Sequence, residues 1–230
     1  MKHTVSQLTE NKKKLITDSE PKSPIAEAYR TLRTNLQYSG LDEPIRTLMI
    51  TSASPREGKS TTINNLAIAY AQAECKVLLL DADMRKPTVH QAFGVSNRNG
   101  LTGVMTGHCT TDEAIQKTHV KGLSVMTAGS VPPNPAEMLA SNKMDQLLSQ
   151  LKDQFDLILV DTPPVLAVSD AQIMSTKCDG VLLVVKAGEL KRGLALRAKE
   201  QLSFVKARLL GVVLNQVKGI EAGPYYYYGN

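Results

Sequence analysis

Tryptophan is absent from this sequence, phenylalanine occurs three times, and aromatic residues make up only 4% of it. Surfaces that bind single-stranded nucleic acid stack bases on aromatic rings set among basic side chains, and no such interleaving is present. Nucleic acid is therefore not an expected partner. Cysteine is equally scarce. Cys75, Cys109 and Cys178 are odd in number, widely spaced, and fit no paired metal-ligand pattern. They read as small side chains in a reducing compartment, which excludes a disulfide framework or a zinc site. No run approaches the roughly 20 apolar residues that span a bilayer. Met1 to Lys14 is polar and lysine-rich, without the apolar stretch and small-residue cleavage site of a secretory signal. The expected location is cytoplasmic.

What is present is enough for a full core: 230 residues, 42% of them hydrophobic. The net charge of +5 is moderate. The run Lys12-Lys13-Lys14 suits an anionic membrane face, nucleic acid or a solvated arm, and the arm is the simpler reading. Residues 1–23 are accordingly expected to be a flexible polar arm, with Ser23-Pro24 as its boundary. Ile25 to Tyr38 reads as an amphipathic helix, with Ala28, Leu32 and Leu36 at spacing four and Pro24 suited to its first turn. Pro44 closes that unit.

From there short apolar runs alternate with helical stretches. Thr47 to Thr51, Val77 to Leu80, Leu123 to Met126, Leu157 to Val160, Val181 to Val185 and Leu210 to Leu214 read as buried strands. Helices are expected from Lys59 to about Ala73, from Pro135 to Leu151, and from Leu190 to Lys206. This order predicts an α/β fold: a doubly wound, mostly parallel sheet with helices on both faces, as in P-loop NTPases, in one domain over residues 24–218. The remaining segment, 219–230, holds glycines, a proline and four consecutive tyrosines, and is expected to be a flexible tail.

The strongest chemical signal is Ala53-Ser54-Pro55-Arg56-Glu57-Gly58-Lys59-Ser60-Thr61, directly after a strand and opening a helix. In that setting the loop from Pro55 through Arg56, Glu57, Gly58, Lys59 and Ser60 to Thr61, with its backbone N–H groups from Arg56 onward, and the helix N-terminus converge on an anion. Gly58 lets the backbone approach phosphates closely, Lys59 reaches the β- and γ-phosphates, and the Ser60 hydroxyl is offered to Mg²⁺. Ala53 stands where the first glycine of such loops usually lies. An ordinary polar turn capped by Ser60 or Thr61 explains neither the Gly-Lys-Ser run nor the preceding strand. ATP with Mg²⁺ is the expected ligand pair.

Ligands of open parallel sheets bind at the carboxyl ends of the strands. Asp81 and Asp83 end the second strand and Asp161 ends the fourth. A hard cation beside a triphosphate needs oxygen ligands, and an attacking hydroxyl needs a carboxylate within hydrogen-bond reach. Ser60, Asp81 and Asp161 are the candidate metal ligands. Lys59, Asp81, Asp83 and Asp161 are the candidate catalytic residues, with the proton acceptor left open among the aspartates. Arg85 either neutralises phosphate charge or pairs with a neighbouring carboxylate, and the sequence leaves both open. Asn215, ending the last strand, is placed either to read the base edge or to cap the strand.

The segments Ala-Ser-Pro-Arg-Glu-Gly-Lys-Ser-Thr (53 to 61), Leu-Leu-Leu-Asp-Ala-Asp-Met-Arg-Lys-Pro (78 to 87) and Ile-Leu-Val-Asp-Thr-Pro-Pro (158 to 164) together resemble the bacterial tyrosine kinases, which use P-loop motifs. Gly129 to Glu137 resembles the proline-rich segment of that family. The resemblance implies autophosphorylation of Tyr225, Tyr226, Tyr227 and Tyr228, and ring-like homo-oligomers assembled through Glu27, Arg30 and Arg33 on the helix at 24–39. It also implies a transmembrane adaptor of capsule or exopolysaccharide export that recruits the chain to the inner face of the plasma membrane, and a cognate tyrosine phosphatase. A tail of tyrosines raises its own local concentration at a nearby site. The competing reading is an ATPase switch like the partitioning and septum-placement proteins, which cycle on a membrane or DNA without modifying protein. Those relatives generally carry lysine at the position of Ser54 and lack the tyrosine tail.

Overall fold

Strands buried on both faces need apolar side chains at successive positions, and the runs of leucine, isoleucine and valine supply them. The computed structural model describes residues 15–39 and 44–217. It begins with a short helix α1 (Ile16–Ser19) and a longer one, α2 (Pro24–Ser39). β1 (Thr47–Ser52) leads through a loop into α3 (Lys59–Ala71), followed by β2 (Val77–Asp81). Three short helices come next, α4 (Val89–Phe93), α5 (Leu101–Thr106) and α6 (Thr111–Ala114), then β3 (Ile115–Lys117) and β4 (Leu123–Met126). The rest alternates: α7 (Pro135–Ala140), α8 (Asn142–Gln154), β5 (Leu157–Asp161), α9 (Asp170–Ser175), β6 (Gly180–Lys186), α10 (Arg192–Phe204) and β7 (Leu209–Asn215).

Among the described residues the strands form one 7-stranded sheet in the order β3-β4-β2-β5-β1-β6-β7. Every neighbouring pair is parallel except β3 on β4. Alternate strand residues face opposite sides, which splits the core in two. Leu78, Leu80, Ile158 and Val160 pack in one half with α5, α8 and α10. Val77, Leu79, Leu157 and Leu159 pack in the other, against α3. The doubly wound α/β architecture read from the sequence is the one observed.

Three local expectations are corrected. The arm expected over residues 1–23 does not extend that far. Leu15 and Thr17 are buried, the Thr17 N–H donates to Asn65 Oδ1 at 2.9 Å, and Gln72 Nε2 donates to the Thr17 carbonyl at 3.2 Å. α1 is thereby pinned on α3, whose residues from Thr62 to Ala71 are all buried because α1 and α2 cover the side turned away from the sheet. Residues 1–14 lie outside the described part, and so does the Lys12–Lys14 run. The single helix expected from Pro135 to Leu151 is two helices, broken at Ser141. Its backbone is extended (φ −68°, ψ 153°) and its hydroxyl donates to the Met138 carbonyl at 2.8 Å. β3 is an addition to the expected strands, since 3 residues are too few to set a period.

Candidate active site at the carboxyl edge of the sheet

The parallel register brings the motif-bearing strand ends together: Asp81 of β2 lies opposite Asp161 of β5, and Asp161 lies opposite Ile50 of β1. The loop from Ala53 to Gly58 rises directly from β1. Ala53 is 1% exposed, with its methyl among core residues, which accounts for alanine where a glycine is usual. Pro55 and Arg56 are exposed, and Arg56 takes a left-handed backbone (φ 67°). Glu57 turns its carboxylate inward, where Oε2 accepts the Ser54 N–H at 2.9 Å. Burial raises its pKa above the ordinary range, against hydrogen bonds from the Ser54, Ala53 and Lys186 backbone. The side chain therefore braces the loop.

Gly58 caps α3 with φ 90°, a conformation that disfavours any Cβ. Asn215 gives a second reason: its Nδ2 donates to the Glu57 carbonyl at 2.9 Å, and a Cβ on Gly58 would stand 1.9 Å from that nitrogen. Asn215 Oδ1 accepts the Gln216 N–H. Both ends of this amide make a hydrogen bond within the protein, tying β7 to the loop.

Lys59 opens α3 at the centre of the acidic edge. Its Nζ lies 3.1 Å from Ser60 Oγ, 3.0 Å from Asp83 Oδ2 and 3.3 Å from Asp161 Oδ1. Burial pulls the lysine pKa down, but Asp161 and Asp83 outweigh it and hold the pKa above its ordinary value. Asp161 is fully buried, which raises its pKa although Lys59 opposes the shift, and its Oδ2 has no hydrogen-bond partner. Asp81 is also fully buried. Desolvation and then the Asp161 charge push its pKa up to about 8. Its Oδ1 accepts from the Asp83 N–H, and its Oδ2 from the Thr88 and Val89 N–H groups. Asp83 Oδ1 accepts the Lys86 N–H at 3.0 Å.

Three acids thus crowd one ammonium in a nearly dry setting, and burial with their mutual repulsion raises the cost of ionising Asp81 and Asp161. That is the environment a divalent cation beside phosphates requires. The Lys59 ammonium sits where oxygens of Ser60, Asp83 and Asp161 converge, and the partnerless Asp161 Oδ2 is a ready acceptor. Among the described residues no group of three or more His, Cys, Asp or Glu is close enough to hold a metal ion alone. Mg²⁺ fits this edge with phosphate oxygens and waters completing its shell, which is its usual mode.

Arg85 takes the second of its two sequence readings. Its Nε and Nη2 donate to Asp170 Oδ2 at 2.8 Å and Oδ1 at 3.0 Å, and the Asp170 side chain is 0% exposed. Asp170 is absent from the residues the sequence singles out, because its only signal, Ser169-Asp170 at the start of α9, resembles any helix start. Thr51 and Thr162 are likewise additions. Thr51 Oγ1 donates to the Pro163 carbonyl at 2.8 Å and Thr162 Oγ1 to the Ile50 carbonyl at 3.0 Å, clamping the Asp161 segment to β1.

Glu27, Arg30 and Arg33 lie on α2, away from this edge. Arg30 Nη1 donates to Glu27 Oε2 at 2.8 Å on the outer side, with the two side chains 30% and 50% exposed. Arg33 turns inward and donates to the Ala69 carbonyl at 2.8 Å. Tyr225 to Tyr228 lie outside the described residues.

A family profile described as an AAA domain matches residues 46–202. The tyrosine-protein kinase YwqD of Bacillus subtilis is 46% identical over 215 residues, covering 94% of this chain and 91% of its own. The solved kinase domain of the Escherichia coli tyrosine kinase ETK superposes with a TM-score of 0.86 at 37% identity, covering 94% of this chain and 85% of that one. The chimerical protein CapA2B2 gives a TM-score of 0.86 at 39% identity, covering 88% and 89%.

Proposed function

The chain belongs to the bacterial tyrosine-kinase family, and on that premise we propose that it transfers the γ-phosphoryl group of ATP to tyrosine hydroxyls, those of Tyr225 to Tyr228 among them. The observation that carries the reading is the meeting of Lys59, Ser60, Asp83 and Asp161 within hydrogen-bond distance at the N-terminus of α3.

In this reading the N–H groups from Gly58 to Thr61 hold the phosphates, helped by the positive end of α3. Lys59 swings from the carboxylates to the β- and γ-phosphates, and Ser60 and Asp161 hold Mg²⁺. The ion, once bound, neutralises charge on the phosphate oxygens. Asp81 acts one step back: its oxygens already accept three N–H groups, so it organises the turn from Asp83 to Val89. Asp83 is the better proton acceptor, lying closer to the surface and touching the same lysine. A tyrosine hydroxyl has a pKa of about 10 and arrives protonated. Its oxygen attacks the γ-phosphorus, its proton passes to Asp83, and ADP leaves.

Kinship alone supports the wider setting. We place the chain in regulation of capsular or exopolysaccharide synthesis, recruited by the cytoplasmic tail of a transmembrane adaptor and reversed by a tyrosine phosphatase. Ring assembly through α2 draws on the outward position of Glu27 and Arg30. Among the described residues no helix is long and apolar enough to cross a membrane. The deciding experiment incubates the protein with ATP and Mg²⁺, with and without an adaptor tail, and maps phosphosites. Phosphate on Tyr225 to Tyr228 that disappears in Lys59→Met is the expected result. ATP hydrolysis with no phosphate on protein would sink the kinase and favour the ATPase switch.

A further inference from the structure

Arg85 follows the two aspartates of β2 and its neighbouring turn, and it reaches across the edge to a buried acid on a different segment. Its guanidinium meets Asp170 through two nearly parallel hydrogen bonds, 2.8 and 3.0 Å, a geometry that fixes orientation as well as distance. The two residues sit on the two carboxylate-bearing stretches of the edge. Asp81 and Asp83 begin one, whose turn is wound by Asp83 on the Lys86 N–H and by Asp81 on the Thr88 and Val89 N–H groups. Asp161 begins the other, which runs through Thr162 and the two prolines to Asp170 at the start of α9. Below, β2 and β5 pair in register up to Asp81 opposite Asp161. Beyond the strand ends, the Arg85–Asp170 fork joins the same two stretches again.

We propose that Asp170 is a positioning residue for the cation end of the nucleotide site, holding Arg85 so that Asp83 stays at a set distance from Asp161. This inference rests on the nucleotide-binding reading above. It also bears on what Arg85 does when phosphate arrives. A swing of Arg85 onto phosphate would leave the Asp170 carboxylate fully buried without its counter-charge, which is strongly unfavourable. Arg85 therefore remains on Asp170, and the phosphates are met by Lys59 and the loop backbone.

The test reads binding of a fluorescent ATP analogue to the full chain, titrated with Mg²⁺ and repeated in EDTA, for wild type, Asp170→Asn, Arg85→Ala and the double variant. Outer-shell partners typically alter metal affinity by about 10–100-fold, and each single variant is expected to raise the half-saturating Mg²⁺ concentration by about 10-fold or more. Affinity in EDTA is expected to stay within about threefold, and the double variant to be no worse than either single one, as for groups acting as a unit. Where Asp170→Asn does not fold, Arg85→Lys keeps the charge but loses the fork, and the same Mg²⁺ shift is expected. Unchanged Mg²⁺ dependence in the folded variants overturns the proposal. So does a large loss of affinity in EDTA for Arg85→Ala beside normal behaviour in Asp170→Asn, which makes Arg85 a phosphate ligand. A wild-type chain that binds no nucleotide overturns both this proposal and the reading beneath it. Phosphotransfer measured in parallel reports on kinase activity separately.

Discussion

The two edges of the sheet carry aspartates in opposite electrical states. At the amino edge, Asp179 precedes β6 and accepts the Arg46 and Thr47 N–H groups at 2.9 and 2.7 Å and the Lys152 ammonium at 3.2 Å. Burial would raise its pKa, but bonds from Thr47, Arg46 and Lys152 outweigh that and hold it below the ordinary carboxylate range. At the carboxyl edge, Asp81 is pushed up to about 8 and Asp161 is also raised, with burial the leading cause for each. One edge has satisfied its charges. The other crowds its acids around Lys59, and Asp81 and Asp161 keep their protons to a higher pH than usual until a cation takes their place. The first arrangement stabilises the fold; the second stores an unmet demand for a cation, as functional sites do.

The most drastic way to break the contrast is to remove the lysine. Lys59→Met is expected to reduce phosphotransfer by about 10²–10³-fold, the range lost when one preorganised electrostatic contact is deleted. Steady-state rates on the tyrosine tail check it, and near-normal turnover would contradict the central role given to Lys59.

Next in size is the pH response of the nucleotide-free protein. Asp81 has a reference pKa of 3.8 and a folded pKa of about 8, so between those values the folded state holds a proton the unfolded state has released. Stability then falls as pH rises through that window. Asp81→Asn should flatten the decline, read as Tm between about pH 5 and pH 8. A wild-type Tm that climbs steadily across this window would be inconsistent with a raised Asp81 pKa.

Asp179 sharpens the comparison with the reverse sign. Its folded pKa is depressed, so its contribution is present above its unfolded value and is lost as pH falls through the folded one. Asp179→Asn is expected to cost about 1–3 kcal/mol near neutral pH, by denaturant melts, without touching nucleotide affinity. The smallest expected effect is that of Glu27→Ala. An exposed pair of this kind is worth under about 1 kcal/mol, so its Tm should barely move. The same variant should shift the oligomer to smaller species by light scattering if α2 builds the ring.

Legible in the sequence was whatever lies in consecutive residues. The loop at 53–61 and the aspartates at strand ends announce themselves because one strand positions each set. The fold class was legible because uninterrupted apolar runs have few other uses. Asp170 was hidden, because its meaning comes from Arg85 on a separate segment. α1 was hidden as well: Leu15, Ile16 and Thr17 are too few for a period, and their docking depends on Asn65 inside another helix. The role of Asn215 was open for the same reason, since its partner Glu57 belongs to the opposite end of the domain's sequence.

The strand order has a consequence for how the protein comes into being. β1 and β2 are consecutive in the chain, yet β5 stands between them. A nascent chain that has completed β1, α3 and β2 already carries the phosphate loop and Asp81, but nothing holds them at their final spacing until Leu157–Asp161 inserts. Such non-local pairing must meet its loop-closure entropy before any contact rewards it, so these sheets assemble slowly. Binding competence arrives with that insertion and departs with it. Nucleotide, recognising only the completed edge, would then stabilise the fully paired sheet by mass action.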